Sequence, residues 1–318
     1  MDAQELKERQ SWSLAQKIDH SLGVIDQFRS RLDGKVFVSF SGGKDSTVLL
    51  DLCRVIDKDI KAVYCNTGNE WPDIVRFVRG LKGQGYNIEI IRPQITPKEV
   101  MEKCGFPLLS KELSCIVDKV RNAPDTLVAR RARGEVECGW KSCTVPKKYG
   151  FLVSEDFNVS DKCCYYLKKK PMRLYVSRTG LHPIIGTMAC ESQLRRTTYL
   201  RRGGCNTFTG KIESMPLSIW MEEDIWEYIR QRDLPIADIY VKGAHRTGCM
   251  FCGFGCQYDG EERFALLKSL YPKWYDTFMD YTNNGVTYRE ALRKVLAVGN
   301  LSLPDENVQL SNRQGYGY

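Results

Sequence analysis

An α/β fold, with a doubly wound and mainly parallel sheet and a helical C-terminal lobe, is predicted by three observations. Short apolar runs with strand character recur at Val36–Phe40, Lys61–Asn66 and Ile88–Arg92. Helical patterns lie between them, after Ser46 and after Pro72, and strands that alternate with helices imply parallel pairing through crossover helices. The first strand runs directly into SGGKDS (Ser41–Ser46) and then into a second apolar run, which is the order strand, glycine turn, helix.

Ahead of the sheet, Glu5 to Leu32 carries Leu14, Ile18, Leu22, Ile25 and Phe28 at helical spacing, so residues 1–32 read as one N-terminal amphipathic helix. Pro72 suits a first helical position. From Pro124 to Ser160 the periodicity fails, and RRARGEVECGWKSCTVPKKYG mixes glycine, proline and charge; residues 124–160 are expected to form an insertion or flap. Arg173–Ser177 and His182–Gly186 read as two further strands. IWMEEDIWEYIRQRDLP reads as a helix with Ile219, Ile225, Trp226 and Ile229 on one face. The nucleotide-binding domain is thus expected over 33–256. RFALLKSLYPKWYDTFMDY and TYREALRKVLAVG make a helical lobe over 257–299, and a polar, flexible tail fills 300–318.

The chain has 318 residues, 42% of them hydrophobic, enough to bury a core. No apolar run is long enough to span a bilayer, and MDAQELKERQSWSLAQKIDH lacks the apolar segment of a secretory signal, so a cytoplasmic chain with no membrane partner is expected. A formal charge of +8 suits phosphate-bearing partners, although a lysine-rich solvated surface has the same charge. Thirteen cysteines are an odd count, and a reducing compartment disfavours a disulfide framework; metal or an iron–sulfur cluster becomes the first alternative to buried, inert thiols.

The glycine turn has the parts of a phosphate cradle. Gly42 and Gly43 let a ligand approach the main chain, the following helix start offers free N–H groups, Lys44 adds charge, and Ser41 and Ser46 add hydroxyls. A glycine-rich connection without a ligand is the plainer alternative. The turn is not the common P-loop, because Asp45 separates Lys44 from Ser46, and it is not a dinucleotide fingerprint.

SGGKDS resembles the PP-loop of the ATP-pyrophosphatase superfamily, whose sheet is adenine nucleotide alpha hydrolase-like. Four further stretches resemble the 3′-phosphoadenylyl sulfate (PAPS) reductase branch of it. CNTGNEWPD (Cys65–Asp73) is similar to a DTGxxFPET element that borders the nucleotide, with Asn66 in place of the usual Asp. DKCCYYLKKKP (Asp161–Pro171) is similar to a CC…K…P segment, and GTMACESQLRR (Gly186–Arg196) to a GxRxxES…R segment, with Met188 in place of Arg. MPLSIWMEEDIWEYIRQRDLPIADIY (Met215–Tyr240) is similar to a PLxxWxxxDVWxYI…LPxxxLY helix. The resemblance covers roughly Phe37 to Cys256, and the insertion and C-terminal lobe look like versions carried by phages and other mobile elements.

The resemblance implies roles. Ser41, Gly42, Gly43, Lys44, Asp45 and Ser46 hold the phosphates, with Asp45 also near Mg²⁺ if ATP is the ligand; Ser39, Thr67 and Gly68 line the nucleotide. Arg195 and Arg196, with Arg201 and Arg202 close in sequence, face the anionic end of the substrate, as guanidinium forks suit phosphate and sulfate oxygens; Glu191 and Arg195, one helical turn apart, could instead simply pair.

Cys249 and Cys252 form a CxxC, which alone is ambiguous among zinc, cluster and redox dithiol. The adjacent pair Cys163 and Cys164 brings the thiols to four, and adjacent cysteines are unusual for structural zinc; the resemblance favours a [4Fe–4S] cluster on these four, with Cys256 as an alternative ligand. Cys138 and Cys143 read as ordinary thiols, a redox pair or part of a second site. Cys190 and Cys205 are weak candidates for a reactive thiol, His182 reads as structural, and His245 as a residue near the anionic end.

Thiol-dependent reductases of this family carry a C-terminal nucleophilic cysteine, and no cysteine follows Cys256 here. Two enzyme readings remain. In one, ATP adenylylates an acceptor, such as a nucleic acid, and sulfur from a donor such as a cysteine desulfurase displaces AMP, as is thought for Dnd-type DNA phosphorothioation relatives. In the other, adenylyl sulfate or PAPS is reduced by a thiol placed elsewhere or by a partner thiol reductant. A third reading is a non-catalytic nucleotide- or redox-sensing regulator associated with DNA.

Overall fold

The computed structural model describes residues 2–137 and 143–305. The chain opens with α1 (Ala3–Gln10), α2 (Leu14–Arg31), β1 (Val36–Phe40), α3 (Lys44–Ile56), β2 (Ala62–Cys65), α4 (Pro72–Gly83) and β3 (Ile88–Ile91). There follow α5 (Pro97–Cys104), β4 (Leu108–Leu109), α6 (Lys111–Asn122), α7 (Leu127–Ala132), α8 (Lys162–Cys164), α9 (Lys170–Thr179), β5 (His182–Ile185) and α10 (Gln193–Arg202). The remainder comprises β6 (Asn206–Thr207), β7 (Glu213–Ser214), α11 (Glu222–Arg232), β8 (Gly253–Phe254), α12 (Cys256–Leu270), α13 (Pro272–Met279), β9 (Thr282–Asn283), β10 (Val286–Thr287) and α14 (Tyr288–Ala297). Among the described residues no helix is long and apolar enough to cross a membrane.

The chain divides into two compact units that interleave along the sequence. The first comprises 1–66, 70–93 and 170–247; the second comprises 67–69, 94–169 and 248–318.

The first unit holds a six-stranded sheet in the order β3-β2-β1-β5-β7-β6. β1 pairs in parallel with β2 on one side and β5 on the other, and only β6 runs antiparallel. The expected α/β, doubly wound, mainly parallel sheet is present. Strand order reverses at β1, which makes the C-terminal end of β1 the place where such sheets bind ligands. Phe37, Val38, Leu49, Val63 and Ile184 are fully buried in its core.

Two local expectations need correction here. The N-terminal helix is two helices, because Ser13 closes a capping box with Gln16 and restarts the chain as α2. Arg173–Ser177 is not a strand but part of α9. A five-residue apolar run does not separate strand from helix. The helical register puts Met172, Tyr175 and Val176 on one face, packed on Phe37 and Val63, with the Tyr175 and Phe37 rings 5.2 Å apart.

The second unit is mostly helical, with the short parallel pair β4–β8 and the hairpin β9–β10. The 124–160 segment, expected as an insertion or flap, is structured along its described length. It carries α7 and a 3₁₀ helix over Lys147–Val153, and Tyr149, Leu152, Phe157 and Val159 are buried. Arg121 ties it down by donating to the Phe157 carbonyl at 2.5 Å. The tail is also docked as far as it is described: Leu303 is fully buried, and Asp305 accepts from Lys268 at 2.7 Å and Tyr275 at 3.1 Å.

Candidate functional site

The glycine turn sits where β1 ends and α3 begins. Its serines close it internally. Ser46 Oγ donates to the Gly43 carbonyl at 2.9 Å, lies 2.9 Å from Ser41 Oγ, and accepts the Ser41 N–H at 3.2 Å. The Gly43 N–H donates to Ser41 Oγ at 3.3 Å. Gly42 has φ +74°, and a Cβ there would lie 2.8 Å from methyls of both Ile74 and Val78. Gly43 caps α3 without a side chain, and a Cβ there would lie 2.6 Å from Thr247 Oγ1. Both glycines are therefore required by close approach. Ser39, half-buried, stands in β1 between Val63 and Ile185.

Lys44 is the buried cation of the loop. Its Nζ lies 3.1 Å from Asp45 Oδ1 and 3.3 Å from Glu222 Oε1. Burial pulls its pKa down, but the charge and hydrogen bond of Asp45, followed by the charge of Glu222, outweigh burial and leave it raised. The ammonium therefore persists at neutral pH. The Lys44 N–H donates to Tyr240 Oη at 2.8 Å, and that hydroxyl lies 3.1 Å from Thr247 Oγ1. A polar group thus already occupies one of the helix-start donors that suit a phosphate oxygen. Tyr240, Thr247 and Glu222 received no role from the sequence; the signal for Tyr240 was its place as the last residue of the Met215–Tyr240 motif.

The arginines separate. Arg195 pairs with Glu191, as their spacing allowed, and burial followed by the charge of Arg246 lowers its pKa while Asp45 raises it. Arg195 therefore shares a field with the loop and with Arg246, a residue that sequence reasoning passed over. Arg195, Arg196 and Arg201 are all exposed. Arg202 turns inward to the buried Glu213, so the four guanidiniums do not form one group. His245 is exposed, and His182 is half-buried opposite Val36 in the β1–β5 ladder.

Thr67 and Gly68 belong to the second unit. Thr67 is 3% exposed and its Oγ1 accepts the Asn69 N–H at 3.2 Å. Gly68 has φ +84°. The Asn69 carbonyl accepts the Met250 N–H at 2.8 Å.

In the same unit, Cys163 and Cys164 lie on α8, and a π turn over Tyr165–Lys169 follows, a feature frequent at functional sites. The CxxC is a turn in which the Cys252 N–H donates to the Cys249 carbonyl at 3.2 Å. Arg263 donates to the Cys252 carbonyl at 2.5 Å, and Tyr288 to the Phe251 carbonyl at 2.9 Å. The four thiols feel one another. The hydrogen bond to Cys164, then burial, then the charges of Cys164, Cys252 and Cys249 raise the Cys163 pKa. Burial and then Cys249 push Cys252 up to about 12. Cys164 is lowered by the Cys163 hydrogen bond, against burial, with Lys111 and Lys168 helping.

Residues 35–132 and 139–253 match the model of the phosphoadenosine phosphosulfate reductase domain, more than half of the chain. The chain belongs to the phosphoadenosine phosphosulfate reductase domain family. It is 33% identical over 220 residues to an adenosine 5′-phosphosulfate reductase of Oceanobacillus iheyensis, covering 67% of this chain and 68% of that one. It is 23% identical over 266 residues to an uncharacterised protein of Methanocaldococcus jannaschii, covering 82% of this chain and 51% of the relative. With a second protein of that organism covered to 45%, the chain spans about half the length of these two curated relatives. A solved phosphoadenylyl-sulfate reductase from Candida auris, in a phosphate complex, aligns with TM-score 0.44 and 13% identity over 78% of this chain and 96% of that one.

For a phosphoadenosine phosphosulfate reductase domain, the donor chemistry around Cys163 fits an iron–sulfur cluster. Cys164, Cys252 and Cys249 all act on Cys163, and the Cys163 hydrogen bond, then Lys111 and Lys168, favour the Cys164 thiolate against burial. Among the described residues, no group of three or more His, Cys, Asp or Glu side chains has the arrangement of ligands around one metal ion. A cubane takes one thiolate per iron and so spreads its ligands wider than a single ion does. Cys256 begins α12 and is fully buried; burial, then the Leu109 backbone, Arg263 and Asp259 set its thiol at about 11. Cys143 is disulfide-bonded, which departs from the ordinary thiol expected, and Cys138 lies outside the described residues.

Of the two weak nucleophile candidates, Cys205 does not suit the task. It is 6% exposed, and burial pushes its thiol up to about 11. A thiol with that pKa is only about one-thousandth thiolate at pH 8. Iodoacetamide at pH 8 is expected to label Cys190, which is exposed, and to leave Cys205 unmodified in the folded chain by peptide mass spectrometry; raising the pH toward 11 increases labelling of Cys205.

Proposed function

We propose that this phosphoadenosine phosphosulfate reductase domain protein binds an adenine nucleotide on its glycine turn, carries a [4Fe–4S] cluster on Cys163, Cys164, Cys249 and Cys252, and uses ATP to adenylylate an acceptor before sulfur replaces the adenylyl group. The carrying observation is the loop itself. A buried Lys44 ammonium and the start of α3 converge at the point where strand order reverses. Ser39, Ser41, Gly42, Gly43, Lys44, Asp45 and Ser46 serve the nucleotide, with Thr67 and Gly68 as further lining residues, and Arg195 and Arg196 serve the anionic end. Asp45 is the carboxylate available to share a Mg²⁺.

The chemistry balances as two displacements. An acceptor oxygen attacks the α-phosphorus, the bond to the β-phosphate oxygen breaks, and pyrophosphate leaves. Hydrosulfide delivered by a sulfur donor then attacks the activated carbon, its C–O bond breaks, and AMP leaves with the acceptor oxygen. Lys44 offsets the charge that develops on the leaving pyrophosphate. When bound, the cluster supplies iron able to hold sulfur. The charge of +8 suits a nucleic-acid acceptor.

A second reading, reduction of adenylyl sulfate or PAPS, is favoured by the 33% identity to an adenosine 5′-phosphosulfate reductase and by the exposure of Cys190; burial of its thiol and then the charges of Glu223, Glu222 and Asp45 raise its pKa and work against this reading. One anaerobic titration separates the readings: Mg²⁺–ATP, adenylyl sulfate and PAPS are each titrated into the full chain. Preference for ATP is the expected result. Preference for a sulfated nucleotide overturns the sulfur-transfer reading, and Cys190→Ser then tests the reductase. Binding without turnover of any of the three supports a nucleotide-sensing regulator instead.

A further inference from the structure

A helix start leaves four N–H groups that no helical carbonyl reaches. At α3 these belong to Gly43, Lys44, Asp45 and Ser46, because the Thr47 N–H is the first to find a carbonyl, that of Gly43 at 3.0 Å. Their fates differ. The Gly43 N–H goes to Ser41 Oγ at 3.3 Å, and the Lys44 N–H to Tyr240 Oη at 2.8 Å. Those of Asp45 and Ser46 meet no acceptor among the described residues, although Ser46 is buried. The segment that supplies the Tyr240 hydroxyl is built against the turn. A Cβ on Gly43 would lie 2.6 Å from Thr247 Oγ1 and 3.3 Å from Tyr240 Oη. Gly243, with φ +100°, folds the segment back: its N–H donates to the Tyr240 carbonyl at 3.2 Å, and Thr247 Oγ1 returns to 3.1 Å from the Tyr240 hydroxyl. The Tyr240 ring stands edge-on to Trp226 of α11, with centroids 5.7 Å apart. The glycine turn, α11 and residues 240–247 all lie in the first unit.

We infer that Tyr240 is an internal competitor for the phosphates: its hydroxyl stands in for an anionic oxygen on the Lys44 N–H, and a bound phosphate displaces it onto Thr247. The inference rests on the reading above that the glycine turn holds the phosphates. A helix-start N–H suits a phosphate oxygen, and a charged acceptor binds it about twice as strongly as a neutral hydroxyl does. Thr247 Oγ1 both donates and accepts, so the Tyr240 hydroxyl stays bonded when it gives up the amide. Displacement therefore strands no polar group. Tyr240 acts as a positioning residue that keeps the empty turn in shape, and it lowers affinity for any ligand that uses the Lys44 N–H.

The sign of one substitution separates this role from a merely structural one. Tyr240→Phe keeps the ring on Trp226 and removes only the hydroxyl. Mg²⁺–ATP, adenylyl sulfate and inorganic pyrophosphate are titrated by calorimetry into the full wild-type and variant chains, both purified anaerobically. The variant is expected to bind more tightly by about two- to tenfold, the net contribution of one neutral hydrogen bond. A residue that only supported the turn, or that touched the ligand, would weaken binding on its loss. Weaker or unchanged affinity in Tyr240→Phe therefore overturns the inference and leaves nucleotide binding by the wild-type chain standing. Failure of both chains to bind any of the three ligands overturns the nucleotide reading and the inference with it. A probe on the hydroxyl itself decides the matter even where Tyr240→Phe does not fold. Fluorotyrosine placed at position 240 is expected to shift its fluorine resonance on saturation with pyrophosphate, and a resonance that stays in place at saturation overturns the displacement.

Discussion

Anaerobically purified Cys249→Ser protein is expected to be colourless and to hold no more than a small fraction of the iron of a brown wild-type preparation. Cys249 and Cys252 act on Cys163 electrostatically, and Cys164 acts on Cys252, which agrees with the shared ligand set proposed above. Replacing one thiolate by a hydroxyl removes a corner from a cubane and exchanges a soft ligand for a hard one. Iron content by chelator assay, with visible absorbance, checks the result; unchanged iron rejects Cys249 as a ligand. Cys256→Ser is the partner experiment. Burial, the Leu109 backbone, Arg263 and Asp259 are the main influences on Cys256, so its substitution is expected to leave iron in place. Loss of iron in Cys256→Ser with retention in Cys163→Ser or Cys164→Ser would move the fourth ligand to Cys256.

Lys44→Ala is expected to weaken nucleotide binding by about 10- to 100-fold, the range that follows from losing one charged hydrogen bond to phosphate. The fold should tolerate the change. Lys44 is 7% exposed, but both carboxylates it pairs with face solvent in part and lose little on becoming unpaired. A melting temperature within about 5 °C of wild type is expected. Calorimetric titration and a thermal melt are measured on the same preparation. A large drop in melting temperature would show that Lys44 holds the loop together, and unchanged affinity would remove it from the phosphate site.

The sheet was legible because its signals are local. Val36–Phe40, Ala62–Cys65, Ile88–Ile91 and His182–Ile185 each sit at their expected positions, since a buried parallel strand needs only a short apolar run ended by a turn. The same shortness misled at Arg173–Ser177, where the choice of helix depends on Phe37 and Val63, residues more than a hundred positions away in the chain. The glycine turn was legible because strand, glycines and helix are contiguous. Its surroundings were less so: Tyr240, Thr247 and Glu222 reach the loop from distant segments, and although Tyr240 and Glu222 lie within the Met215–Tyr240 motif, nothing in that motif points them at the loop. Arg202 shows the converse. It reads as one of four clustered cations, yet its partner Glu213 is fully buried on β7 and turns it away from its neighbours.

The interleaving of the two units also sets the order in which the protein can be made. Cys163 and Cys164 leave the ribosome well before Cys249 and Cys252, and at ordinary synthesis rates the delay is on the order of ten seconds. Throughout it, two adjacent thiols have no partners, and the Thr67–Asn69 turn lacks the Met250 amide that it holds in the finished chain. Neither unit can be finished from an unbroken stretch of chain. A truncated product ending between residues 164 and 248 would hold the vicinal cysteines without the Cys249–Cys252 loop that the proposed cluster needs.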